Sequence, residues 1–94
     1  MRLAGRDKLD AFGRKHAQAR GAIRAWTAEI ERATWKKTSD LKARYPKASV
    51  LAENIVIFDL GGNKFRLESR VLFQVQLVVA HRIGTHEEYN KWRR

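Results

Sequence analysis

The segment Gly61-Gly62-Asn63-Lys64 separates two runs rich in β-branched and aromatic residues, and this arrangement leaves few folds open. Glycine and asparagine accept the backbone conformations that a tight hairpin turn needs. The run before it, Ile55 to Leu60, and the run after it, Phe65 to Phe73, therefore read as two antiparallel strands. Alternation puts Phe65, Leu67, Ser69, Val71 and Phe73 on one face of the second strand, with Arg66, Glu68, Arg70 and Leu72 on the other. Gln74-Val75-Gln76 reads as a second turn, and Leu77 to Ile83 as a third strand in which His81 and Arg82 face opposite ways. Ala48 to Leu51 reads as a further short strand. The second half of the chain is thus an antiparallel meander.

The first half follows a different period. Leu9, Phe12 and His16 share one face of a helix that starts near Asp7, and residues 17–21 interrupt it at Gly21. Ala22, Ile23, Trp26, Ile30 and Ala33 mark the inner face of a second helix, whose outer face carries Arg20, Arg24, Glu31 and Arg32. Thr38 or Ser39 caps a short helix through Leu41 to Arg44, which ends before Pro46 because proline disfavours helix in the residue preceding it. At the other end of the chain, Thr85 and Glu88 stand at the spacing of a capping box and open a short closing helix. His86 then lies in its first turn, with Tyr89 on roughly the same face. Helices, a meander and a closing helix make an α+β domain spanning residues 1–94.

Charge narrows the function. Twenty Lys and Arg oppose ten Asp and Glu, for a net charge of +10. Residues 1–47 hold 13 basic and 5 acidic groups, and the remainder 7 and 5, so the excess is concentrated in the first half. Such a field favours a polyanion, and nucleic acid is the commonest one. Lys36, Lys37, Lys42, Arg44 and Lys47 form a basic cluster near Trp35 and Tyr45, a pattern suited to backbone phosphates, although Trp35 itself reads as a core residue. The chain has no cysteine, which excludes disulfides, thiol catalysis and cysteine-bound zinc. Its three histidines lack zinc spacing, its carboxylates do not cluster for magnesium, and no cofactor is expected. The longest apolar runs, Ile55 to Phe58 and Leu77 to Ala80, fall far short of the roughly 20 residues of a membrane span. With no apolar stretch behind Arg2, Arg6, Asp7 and Lys8, no secretory signal is read and a cytoplasmic protein is expected.

Several segments carry a family resemblance from about Leu9 to Trp92. They are Trp26, Trp35-Lys36, Asp40-Leu41-Lys42, Tyr45-Pro46-x-Ala48, Val56-x-Phe58, Gly62-Asn63-Lys64-Phe65-Arg66-Leu67 and Gly84-Thr85-His86-x-Glu88-Tyr89. In this order and spacing the chain resembles HigB-type toxins of bacterial toxin–antitoxin systems, the branch with a RelE-like fold. The resemblance implies an endoribonuclease acting on messenger RNA, often on the translating ribosome. It also implies a HigA-type antitoxin with a helix-turn-helix domain as partner. Two departures stand out. Relatives usually carry small or apolar residues where this chain has Glu68-Ser69-Arg70, and often an arginine where it has His81, with Arg82 next along. The shift would face the arginine the other way.

Metal-free RNA cleavage needs a group that takes the ribose 2′-hydroxyl proton, charge stabilisation at the phosphoryl oxygens, and a proton for the departing 5′-oxygen. Histidine suits proton transfer near neutral pH, and the arginine fork suits two phosphoryl oxygens. His86 and Arg66 are the first candidates, with Tyr89 orienting the phosphate or donating a proton. Lys36, Lys37, Lys42, Asn63, Lys64 and Arg82 are the candidate RNA-phosphate contacts. His16 reads as structural, and His81 as a core neighbour or a second acid–base group. Two other readings use the same surface: a non-catalytic RNA- or ribosome-binding module, and a toxin of this fold aimed at a protein such as a topoisomerase.

Overall fold

A computed structural model of the chain describes residues 1–92. Five strands form one sheet: β1 (Arg2–Ala4), β2 (Ser49–Val50), β3 (Ile55–Leu60), β4 (Phe65–Leu72) and β5 (Leu77–Thr85). Their spatial order is β1-β5-β4-β3-β2. The meander β2-β3-β4-β5 is antiparallel, whereas β1 lies parallel to β5 at the edge. Four helices accompany the sheet: α1 (Arg6–Lys15), α2 (Arg20–Arg32), α3 (Thr38–Arg44) and α4 (His86–Tyr89). A 3-10 turn at Ala17–Ala19 separates α1 from α2, where the sequence pattern breaks. The α+β class holds, with β1 an addition that three residues of sequence did not announce.

The strand alternation sorts the sheet into two faces. Val56, Phe58 and Leu60 of β3 stand beside Ser69, Leu67 and Phe65 of β4, and all are buried. Leu9 of α1 and Ile23, Trp26 and Ile30 of α2 close over them. The Trp26 ring meets Phe58 edge-on at 5.3 Å, and Phe12 meets Phe65 at 5.7 Å. Ser69 is the polar residue on this strand face, and its hydroxyl donates to the Val56 carbonyl at 3.1 Å, so its burial leaves no donor stranded. Trp35 is buried as expected, packed edge-on against Tyr45 at 6.0 Å. The Tyr45 hydroxyl donates to Glu29 of α2 at 3.0 Å, and Arg44 pairs with the same carboxylate, which fastens α3 to α2. Burial first, and the Glu29 contact second, push the Tyr45 phenol above its usual range.

Two local expectations change. Neither Thr38 nor Ser39 caps α3; Asp40 instead accepts from the Lys36 amide at 2.9 Å and closes the turn from inside the helix. The second change is at His81. Arg82 pairs with Glu68, but Ala80 pairs with Ser69, so His81 is an extra residue in a β-bulge. Strict alternation would send His81 and Arg82 to opposite faces. The bulge turns both toward Glu68, on the sheet face directed away from α1 and α2. Arg82 therefore shares the Glu68 face with His81.

β1 reaches α1 through Gly5, whose φ is +86°. A Cβ there would lie 2.4 Å from the Ala80 carbonyl oxygen of β5. Gly5→Ala is expected to cost more than about 1 kcal/mol, because the backbone is left-handed and the obstacle is main chain. Thermal unfolding should show a midpoint lower by about 5 °C or more for a domain of this size.

Candidate active site

The sheet face turned away from α1 and α2 carries Asp59, Arg66, Glu68, Arg70 and Arg82. Arg66 opposes Asp59 on β3 and Gly84 on β5. Gly84 is what lets the C-terminal segment fold onto this face: a Cβ there would stand 3.0 Å from the Trp92 ring and 3.1 Å from Glu88 Cβ. The capping box anticipated from Thr85 and Glu88 is complete. The Thr85 hydroxyl accepts from the Glu88 amide at 3.1 Å, and Glu88 accepts from the Thr85 amide at 2.8 Å. The cap turns the chain back at the end of β5. His86 takes the first position of α4, and its amide donates to the Lys64 carbonyl at 2.9 Å. One turn later the Tyr89 ring lies 5.4 Å from the Arg66 guanidinium carbon. The Trp92 ring lies 4.3 Å from that of Arg82, and the two rings meet edge-on at 5.3 Å. Two arginines and two aromatic rings therefore interlock across β4, β5 and the C-terminal segment.

The two arginines are not equivalent. Arg66 is 8% exposed. Its Nε faces Asp59 at 3.2 Å, Nη1 donates to the Asn63 and Phe65 carbonyls at 3.1 and 3.4 Å, and Nη2 donates to Asn63 Oδ1 at 2.7 Å. A guanidinium has five N–H donors, so one Nη2 proton stays without a partner among the described residues. Arg66 thus clamps the hairpin turn as well as facing the site. Arg82 is 42% exposed along its side chain, and only its Nε is engaged among the described residues, with Glu68 Oε1 at 3.0 Å. Its terminal nitrogens have no hydrogen-bond partner among the described residues and offer the freer fork. Glu68 is itself 9% exposed, and its other oxygen lies 3.5 Å from His81 Nδ1.

The structure brings Asn63, Lys64, Arg66, His86 and Tyr89 to one end of the sheet, with Arg82 two positions further along β5 from Gly84. Asn63, Lys64 and His86 are exposed there. It does not bring the other lysines to them. Lys36 and Lys37 are exposed, but they follow Trp35, whose carbonyl accepts from Gln76 at 2.6 Å at the β4–β5 turn. That turn is the opposite end of β4, whose eight residues span roughly 26 Å. Lys42 is occupied: its ammonium donates to the Pro46 and Ala48 carbonyls at 2.7 Å each and holds the turn after α3. His16 stacks on Phe12 at 4.3 Å, a structural role. A cleft of about 530 Å³ between α1 and α2 is lined by Arg6, Arg14, Arg20 and Arg24, but it contains no histidine or tyrosine. Trp92 is the site residue the sequence reading left out. Its signal is position: it falls three residues beyond Tyr89, on the same side of the turn that Thr85 starts.

Comparison with known proteins gives the family. Residues 19–92 match the family described as HigB toxin, RelE-like toxic component of a toxin–antitoxin system. The chain belongs to that family. It is 27% identical over 92 residues to the mRNA interferase toxin HigB of Escherichia coli strain K12, covering 96% of this chain and 88% of that protein. The mRNA interferases HigB of Escherichia coli O157:H7 and of Shigella flexneri align with the same identity and coverage.

The cap makes the C-terminal segment sensitive to acid. The bond from the Thr85 amide holds the Glu88 carboxyl below the usual carboxylate range. A carboxyl whose folded value is depressed stabilises the fold above its unfolded value and loses that effect as pH falls through the folded one. Below about pH 4, the ordinary range of a glutamate, α4 should therefore loosen before the sheet unfolds. Amide exchange at residues 86–89, followed during acid titration beside that of β4, checks the order; simultaneous loss would refute it.

Proposed function

We propose that this HigB-family chain is an endoribonuclease that cleaves messenger RNA on the translating ribosome, without a metal ion, and is neutralised by a HigA-type antitoxin carrying a helix-turn-helix domain. Its similarity to mRNA interferases supports the substrate class, and the +10 charge suits both an RNA substrate and an acidic stretch of antitoxin. The observation that carries the catalytic reading is the freer Arg82 fork interlocked with Trp92, Tyr89 and Arg66 on one face of the sheet.

In this reading the scissile phosphate sits against the Arg82 fork and the remaining Arg66 N–H. As the 2′-oxygen attacks phosphorus, negative charge grows on the two outer phosphoryl oxygens, and fixed N–H donors stabilise it more than they stabilise the ground state. Tyr89, held over Arg66, orients the phosphate. His86 gives its proton to the departing 5′-oxygen. Lys64, with Asn63 beside it, meets the neighbouring phosphate at the turn. Lys36 and Lys37 would meet RNA about a sheet length away, and Lys42 stays in its turn.

His86→Ala should lower cleavage by about 10²–10⁴-fold, the usual range for a general acid. Arg82→Ala should lower it by about 10²–10³-fold, and Arg82→Lys should not restore it, because an ammonium has no planar fork. Arg82 is the cleaner test, since Arg66→Ala also unpins the hairpin. Each variant is first checked by circular dichroism and then assayed for messenger RNA cleavage on ribosomes. Undiminished cleavage by a folded His86→Ala variant would remove His86 from the mechanism.

Binding gives an independent check. Each phosphate contact contributes about 0.7 to the slope of log affinity against log salt for single-stranded RNA. Lys64→Ala should flatten that slope by about one such step. Lys42→Ala should leave the slope unchanged and lower stability instead, by about 1 kcal/mol for the lost hydrogen bonds. A reversal between these two variants would exchange their roles.

A further inference from the structure

The scheme above leaves the 2′-hydroxyl proton without an acceptor. We propose that His81 is that acceptor, a second proton-transfer group oriented by Glu68 and set beside the Arg82 fork by the bulge in β5. This rests on the ribonuclease reading.

The placement comes from pairing. Alternation counted back from Arg82 would turn His81 to the core face; the register shift between Glu68 and Ser69 lets it leave that face to Ala80. With the shift, His81 and Arg82 reach the same carboxylate, Nδ1 at 3.5 Å from one Glu68 oxygen and Arg82 Nε at 3.0 Å from the other. A carboxylate facing Nδ1 selects the tautomer whose proton is on that nitrogen and leaves the lone pair on Nε2, at the far side of the ring. That is the form a general base needs. The imidazole is 32% exposed, whereas the Glu68 side chain is 12% exposed and shielded. Phosphate held by Arg82 would lie beside the residue next to it in the chain. Glu68, the first residue of the stretch Glu68-Ser69-Arg70, is thus in contact with His81.

The step balances within the site. His81 Nε2 takes the 2′-hydroxyl proton as the 2′-oxygen bonds to phosphorus. The bond from phosphorus to the 5′-oxygen breaks, and that oxygen takes a proton from His86. The products are a 2′,3′-cyclic phosphate and a 5′-hydroxyl end. Among the described residues, the charged and titratable groups around His81 on this face are Glu68 and Arg70 of β4, Arg82 of β5, the Asp59–Arg66 pair across β3 and β4, and Tyr89 from α4.

The test is the pH–rate profile of single-turnover cleavage by the intact chain. A base must be unprotonated, so the parent rate should rise with pH along an acid-side limb. His81→Gln should lower the rate by about 10²–10⁴-fold and flatten that acid-side limb, with RNA affinity changed by less than about threefold. Free imidazole should restore part of the rate to His81→Gly. Glu68→Gln tests positioning: its loss should fall on kcat with KM near the parent value. A folded His81→Gln variant that keeps the parental rate and limb overturns the assignment and leaves the ribonuclease reading standing. A parent chain that cuts no RNA overturns both.

Discussion

The ladder that β4 makes with β3 on one side and β5 on the other holds the core and the candidate site in a single register. Because successive side chains point to opposite faces, Phe65, Leu67, Ser69 and Val71 are committed to the core while Arg66, Glu68 and Arg70 are committed to the other side. A slip of one residue would exchange the two sets. The buried rings of Trp26 and Phe58 therefore fix more than stability. By fixing register, they place guanidinium and carboxylate groups at defined separations on the far face.

Arg66 and Glu68, the most buried charges on that face, both have partners, whereas Arg70 Nε is buried with no hydrogen-bond partner among the described residues. Removing an ion from water costs several kcal/mol unless partners replace the lost hydration. Arg66 answers this with Asp59, the Asn63 side chain and two carbonyls, and Glu68 with Arg82 and His81. The neutralised pairs reduce the long-range field of the face. What is left for a substrate is local and directional: the freer fork of Arg82, one N–H of Arg66 and the exposed ends of Lys64 and His86.

Periodicity made the long elements readable. Ile55 to Leu60, the Gly61-to-Lys64 turn, the α2 stripe and the Thr85 cap all stand where the residues place them. What escaped depends on partners distant in sequence. Three residues of β1 show no period, and they become a strand because Leu77 to Val79 offers them an edge. The His81 bulge exists only in the pairing of β5 with β4, since neither strand alone records a surplus residue. Lysines look alike in a sequence, yet Lys42 closes a turn while Lys64 stands free of such duty, because only Lys42 has two carbonyls within reach. Arg66 and His86 were legible as candidates from residue type and position. That Arg82 holds the freer fork was not, since it depends on how many bonds each guanidinium already makes.

The two ends of the sheet are its shortest parts. β1 has three residues and β2 has two, while the three longer strands between them have neighbours on both sides. At β1 and β2 themselves an incoming strand would find only a few unpaired amides and carbonyls, too short a template for stable pairing. The longer stretch that β1 does not reach is β5 beyond Val79, so a strand added to this sheet would have to pair alongside His81 and Arg82, where charged side chains disfavour it.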